Sequence, residues 1–341
     1  MTSATWAERS PTPSDAGDLL EVEGLYVTFT TPEGVVRAVN GLDLTVAEGE
    51  MLAILGESGS GKSVTMQALL GLVPSPPGTV TSRRLRFGDQ ELSEATPRAF
   101  RRVRAREIGM VFQDAPSSLD PGRTVGSQIA EVLRVHEGLG RREARLRAVE
   151  LMDRVRIPSS AKRAKDYPHQ FSGGMCQRIM IAIAIALQPR LLIADEPTTA
   201  LDVTVQAQIM DLVQELRKDL GMAVVLITHD VDLAAENADR VLVMYAGSVM
   251  ESGPMAEIHG RPMNPYTRGL LASVPSAPST DGRMRPIPGS PPVLSKLPDG
   301  CTFAPRCEYV EDRCWEVHPA LEPIGPARSS ACHVITGDSD V

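Results

Sequence analysis

Residues 56–63 read GESGSGKS, a match to G-x-x-x-x-G-K-[ST] in which each residue type has a mechanical use. Gly56, Gly59 and Gly61 let the backbone curl so that the N–H groups along Gly56, Glu57, Ser58, Gly59, Ser60, Gly61, Lys62 and Ser63 converge on anionic oxygens. Lys62 adds a point charge for the β- and γ-phosphates, and the Ser63 hydroxyl is a ligand for Mg²⁺. The flanks agree. MLAIL (51–55) predicts a buried strand, and SVTMQALLGL (63–72) predicts the helix whose positive N-terminus completes the anion site. Taken alone, the loop leaves one alternative open, a glycine turn that binds no phosphate.

Downstream, LLIADE (191–196) is an apolar strand ending in two acids. In such hydrolases the first, Asp195, holds Mg²⁺ from the neighbouring strand, and the second, Glu196, polarises a water against the γ-phosphorus. The structural alternative is a helix N-cap region, which Pro197 would suit. VVLIT (224–228) is another short β-branched strand and delivers His229 at its C-terminal end, where ligands of open α/β sheets gather. A γ-phosphate contact is the reading there, with a core histidine as the alternative.

Further along the chain, FSGGMCQR (171–178), Gln113 in VFQDAPSSLDP and TALD (199–202) stand in an order that matters. With them the chain resembles the ATP-binding subunits of ABC transporters over nearly its whole length. The first stretch resembles that family's LSGGQ signature, the glutamine its Q-loop residue, and TALD its D-loop. The resemblance implies an α/β fold: a P-loop core with an antiparallel β subdomain and a helical subdomain. It implies that Ser172, Gly173 and Gly174 bind the γ-phosphate of ATP held by a partner cassette, that Gln113 senses Mg²⁺ and the membrane partner, and that Asp202 belongs to the nucleotide site. A hydroxyl and flexible donors opening a helix (175–187) suit that role.

Met175 departs from the signature glutamine; the serine and both glycines survive, and Gln177 lies further along. For the aromatic that stacks on adenine, Tyr26 and Phe29 are both candidates, and Phe29 reads equally well as a strand core residue.

A finer resemblance rests on ADEPTTALDVTVQAQI, YPHQFSGGM, VMYAGSVME, NPYTRGLL (264–271) and CTFAPRC (301–307). These look like the ATPase subunits of dipeptide and oligopeptide importers; ATPases of nickel and other small-solute importers are the alternative. This resemblance implies an ATPase working as a dimer of cassettes, the second being a homologous chain or a copy of this one. The cassettes would dock on two membrane permease subunits at the cytoplasmic face, fed indirectly by an extracytoplasmic peptide-binding protein. ATP and Mg²⁺ are the implied cofactors. A soluble ABC machine normally brings two cassettes or a long coiled-coil insertion, and an exporter cassette would lack NPYTRGLL and the cysteine tail.

Composition sets limits. The chain has 341 residues, long for one compact domain. Thirty-five Lys and Arg against 43 Asp and Glu give a net charge of −8, which disfavours nucleic acid as a partner. Arg101, Arg102, Arg104 and Arg106 read as a solvated helix face. The longest apolar run, IMIAIAIAL (179–187), falls short of the about 20 residues that cross a bilayer. The expected organisation is an N-terminal arm without order or signal-peptide character (1–18), an ATPase domain (19–253) with a helical subdomain over about 114–187, and a C-terminal region (254–341). The proline and glycine content of that last region predicts an extended linker with little helix, followed by a small irregular cysteine-rich tail.

Cys301, Cys307, Cys314 and Cys332 are spaced C-x5-C-x6-C-x17-C, unlike the paired rhythm of a zinc ribbon. Four thiols in so short a segment invite a metal. The resemblance to peptide-importer ATPases implies a [4Fe-4S] cluster; zinc with help from His318 or His333, and reduced thiols without metal, remain open. Cys176 reads as a small buried residue.

Overall fold

The computed structural model describes residues 17–93, 95–199, 201–273 and 286–334. All but two residues of the expected N-terminal arm lie outside that set, as do 274–285 in the proline-rich stretch and Ala200 of TALD. The chain divides into two compact units. One contains Ala47–Glu50 and Ala95–Val225; the other contains Leu19–Val46, Met51–Glu94 and Leu226–Val341.

In the second of these, strand Leu20–Thr31 pairs antiparallel with Gly34–Val46 on one side and with Gly78–Thr81 and Arg84–Phe87 on the other. The first hairpin turns through Pro32 and Glu33, and Gly34 takes φ 128°, a conformation that favours glycine. A second sheet runs in the order 322–325, 328–330, 248–254, 240–245, 51–55. Met51–Leu55 and Arg240–Tyr245 are parallel, with Leu52 opposite Arg240 and Leu55 opposite Val243. All five residues of Met51–Leu55 are buried, so this strand is a continuous apolar run, as a strand covered on both faces requires.

The segment after 254 is not the extended linker its composition predicts. Met255–Gly260 and Pro265–Ala272 are helices. Asn264 caps the second, its Oδ1 accepting the Tyr266 N–H at 2.9 Å, with Pro265 at the first helical position. Tyr266 and Leu270, four residues apart, share one face and are buried in a cluster with Tyr245, Met250 and Phe303. Ile287, Leu294, Leu297, Cys301 and Cys307 pack against that cluster. The tail therefore has an apolar framework that its proline and glycine content conceals. Strands Glu322–Gly325 and Arg328–Ser330 continue the sheet. Fully buried Glu251 takes the Met263 and Asn264 N–H groups at 3.0 and 3.1 Å and the Arg328 guanidinium at 2.7 Å. A carboxylate so deep is tolerable only when paired and hydrogen-bonded in this way.

In the other unit Ile108–Val111 and Leu191–Asp195 form a parallel pair. The expected helical run appears as Ala115–Ser118, Val125–His136, Arg141–Arg154, Ser160–Arg163 and Gly173–Ala184. Val125, Ile129 and Leu133 repeat every four residues and are buried. Helix Pro97–Arg106 exposes Arg101, Arg102 and Arg106 and buries Val103, as a solvated face would. Among the described residues no helix is long and apolar enough to cross a membrane.

Candidate active site

The phosphate loop leaves strand Met51–Leu55 and opens helix Lys62–Leu69, which ends three residues earlier than the sequence predicts because Gly71 turns the chain at φ 61°. Two of its glycines are obligatory. Gly56 has φ 153°, and a Cβ there would lie 2.2 Å from the Met244 carbonyl oxygen; Gly61 has φ 103°, and a Cβ would lie 2.4 Å from that of Ala38. Among the described residues no atom lies within 4 Å of a Cβ position at Gly59, so they leave this part of the loop open. The buried Lys62 ammonium donates to the carbonyls of Gly56 and Glu57 at 2.7 and 2.9 Å and spans the curl. Ser60 is buried and its Oγ has no hydrogen-bond partner among the described residues, while its carbonyl accepts the Gly247 N–H at 2.9 Å.

Glu57 departs from a simple cradle residue. Its N–H donates to Tyr266 Oη at 3.0 Å rather than pointing into the loop, and its carboxylate receives both terminal nitrogens of Arg306 at 2.6 and 3.0 Å. The Glu57 N–H is thus already engaged within the chain. Tyr266 lies in NPYTRGLL and Arg306 in CTFAPRC, stretches the sequence singles out, but neither stretch reveals that its residue is bonded to Glu57.

His229 lies in the same unit. The Thr228 N–H bonds to the Ile54 carbonyl at 3.2 Å, which sets His229 beside the end of the strand that feeds the loop. Asp230 immediately caps helix Val231–Asn237.

Gln113, Asp195 and Glu196 belong to the other unit. Val111 stands opposite Ala194 in the parallel pair, so the chain beyond each strand emerges at the same edge. Gln113 Nε2 then reaches Glu196 Oε2 at 2.9 Å, and Thr199 Oγ1 donates to the same oxygen at 2.9 Å. Glu196 holds φ 45°, left-handed backbone that a glutamate adopts only when its surroundings impose it. The next helix, Val203–Leu220, is capped by Asp202, whose Oδ1 accepts the Val205 N–H at 2.9 Å. Neither Asp195 nor Glu196 serves as its cap. Asp202 thus has a local structural use as well as its place in TALD.

Ser172 is the N-cap of helix Gly173–Ala184, so both signature glycines begin the helix, two residues earlier than expected. Ser172 and Gly173 are exposed, and Gly174 packs so closely on Val205 that a Cβ would approach its side chain to 2.6 Å. Met175 sits under Arg163, which donates to its sulfur at 3.1 Å and stacks 4.0 Å above the Phe171 ring. Gln177 does not stand in for the missing glutamine: it is 3 % exposed and turned inward. Tyr26 is 46 % exposed, whereas Phe29 is half-buried against Gly78.

Cys301, Cys307, Cys314 and Cys332 line one cavity with Phe303 and His333. Burial pushes the Cys301 and Cys307 thiols up and Cys332 to about 11. Neither the iron–sulfur nor the zinc reading finds support in the arrangement of these side chains. Among the described residues no group of three or more His, Cys, Asp or Glu is drawn together tightly enough to hold a metal ion. The His318 and His333 rings are engaged with the Gly300 and Val317 carbonyls at 3.2 and 2.8 Å. Nor does the tail stand apart from the phosphate loop, since Arg306 bridges to Glu57. Cys176 is buried, and burial raises its pKa.

Residues 39–199 match the ABC transporter family and residues 250–314 the oligopeptide/dipeptide transporter C-terminal region. The oligopeptide transport ATP-binding protein of Salmonella typhimurium is 47% identical over 332 residues, covering 97% of this chain and 98% of that protein. The dipeptide transport ATP-binding protein of Escherichia coli is 46% identical over 321 residues, 94% and 98% of the two chains. A dimeric ATP-binding cassette in a post-hydrolysis state with ADP and phosphate superposes with TM-score 0.61 at 27% identity, over 69% of this chain and 98% of that one. CbiO1 of Clostridium perfringens gives TM-score 0.61 at 30% identity over 72% and 91%. The chain belongs to the ATP-binding subunits of ABC transporters.

Proposed function

We propose that this ABC ATPase energises the import of di- or oligopeptides. It would act as one of two cassettes docked on a pair of membrane permease subunits at the cytoplasmic face, with an extracytoplasmic peptide-binding protein delivering the cargo. The observation that carries the enzymatic part is Glu196, strained in backbone and aimed by Gln113 and Thr199. The peptide assignment is supported by the tail region and by the relatives above.

In this reading the phosphate loop amides beyond Glu57 and Lys62 bind the β- and γ-phosphates. Glu196 accepts a proton from water as its oxygen bonds to the γ-phosphorus, while the bond to the bridging oxygen breaks and ADP leaves with that electron pair. Lys62 and His229 balance the charge that develops on the γ-phosphoryl oxygens. Ser63, Gln113 and Asp195 are the oxygen donors for Mg²⁺, which when bound neutralises phosphate charge. The exposed Ser172 and Gly173 serve the ATP of the opposite cassette.

The tail adds a second reading. Four thiols on one cavity are the donor set of a [4Fe-4S] cluster, and we assign Cys301, Cys307, Cys314 and Cys332 to it.

Reconstitution with cognate permeases and binding protein in vesicles tests the transport reading. Labelled dipeptide or oligopeptide uptake that depends on ATP and fails with Lys62→Ala supports it. Uptake of nickel instead, or ATP turnover indifferent to peptide, would overturn the peptide assignment.

A further inference from the structure

Every polar group of Glu57 is engaged. Its carbonyl takes Lys62 Nζ at 2.9 Å and the Ser60 N–H at 3.2 Å, its N–H goes to Tyr266 Oη, and its carboxylate takes the fork of Arg306. Both outside partners come from beyond the hairpin of strands 240–245 and 248–254. Tyr266 stands in the first turn of helix Pro265–Ala272, and Arg306 ends the short turn Ala304–Arg306, 249 residues from Glu57 in sequence.

Arg306 is itself held on all sides. It is 8 % exposed. Its Nε donates to the Pro288 carbonyl at 2.8 Å and Nη1 to Tyr245 Oη at 3.2 Å, and its guanidinium lies 5.7 and 6.0 Å from the Tyr245 and Phe303 ring centres. Tyr245, Tyr266 and Phe303 pack on one another with centroids 4.6 to 5.4 Å apart. An arginine fixed by an aromatic box and a backbone carbonyl presents its two terminal nitrogens in a rigid fork, which suits a carboxylate far better than a mobile lysine would.

We propose that Arg306 is a positioning residue for ATP binding, acting through Glu57 to hold the first half of the phosphate loop and, with it, the carbonyls that seat Lys62. The tail is then a brace for the nucleotide site. The inference rests on reading residues 56–63 as the phosphate site. A loop whose amides must already point at the phosphates when ATP arrives gains affinity from such bracing, because less backbone freedom is lost on binding.

The test is calorimetric titration of ATP–Mg²⁺ into the full-length chain. Arg306→Ala and Glu57→Ala should each weaken binding about tenfold, the loss expected on removing a charge-assisted bond. Arg306→Lys should fall between, keeping charge but not the fork. The double variant should bind within about twofold of either single one, because both remove the same contact. Lys62→Ala is the control: if it binds like wild type, the phosphate-site reading itself fails. If Lys62→Ala loses binding while Arg306→Ala lowers only the titration stoichiometry, the contact is merely structural and the proposal is overturned. Additive losses in the double variant overturn it too. Should Arg306→Ala not fold, Glu57→Gln, at a more exposed position, carries the same test: an unchanged dissociation constant refutes the proposal and a weakened one supports it.

Discussion

Gln113 Nε2 donates to Glu196 Oε2 at 2.9 Å across 83 residues of sequence. The bond follows from strand pairing: Val111 and Ala194 are partners in a parallel ladder, and each chain continues past the same sheet edge. With Thr199 on the same carboxylate oxygen, the glutamate is aimed from two directions. Its φ of 45° is the conformational cost of that aim.

Glu196→Gln should therefore retain ATP binding and lose steady-state turnover by about 10²–10⁴-fold, the usual loss for a general base. Phosphate release by the assembled transporter is the measurement. Turnover within about tenfold of wild type would place the base elsewhere.

Ser172→Arg separates the two halves of a composite site. Ser172 is an exposed helix cap, so the substitution should leave this chain's own ATP binding within about threefold while cutting assembled ATPase activity by at least about 10²-fold. Equal loss of binding and turnover would show that the signature serves the ATP of its own chain.

The cassette is legible in the sequence because its chemistry is packed into short contiguous motifs. GESGSGKS specifies a strand end, a loop and a helix start within a dozen residues, and the obligatory glycines at 56 and 61 are the ones the pattern demands. The tail is hidden for a physical reason. Tyr266, Leu270 and Phe303 are too few and too scattered among prolines to give a periodic signal, yet they bury together once the sheet is formed. The bracing of Glu57 is hidden likewise, since a variable position in a loop motif gives no hint of a partner 249 residues away. Met175 is explained only by its neighbour Arg163, which the signature pattern does not include.

Tyr266 gives a pH signature. Burial raises its hydroxyl pKa well above the ordinary tyrosine value, and burial also raises that of Tyr245. The native chain thus holds these protons more tightly than the unfolded chain does. Their contribution to stability is complete below about pH 10 and is lost as pH rises beyond it. Tyr266→Phe removes one such group and also strips the Glu57 N–H of its acceptor. Thermal melts should show a lower Tm at pH 8, from a loss of about 1–3 kcal/mol, and a shallower decline between about pH 10 and 11. Parallel declines for variant and wild type would contradict the upward shift at Tyr266.

The four tail thiols make the last prediction. Anaerobically purified, iron-replete protein should be brown, with broad absorbance near ~400 nm and about four irons per chain. Thiolate ligation must displace protons that burial makes harder to remove, as at Cys332 with its pKa of about 11, so cluster assembly should release protons measurably. Cys→Ser at 301, 307, 314 or 332 should each abolish the absorbance. The position of Cys307 next to Arg306 adds a second readout: its replacement should weaken ATP–Mg²⁺ binding more than replacement of Cys332, because the turn Ala304–Arg306 carries the guanidinium that grips the loop. Zinc in place of iron under those conditions would eliminate the cluster, and the absence of both would leave the four cysteines as reduced thiols.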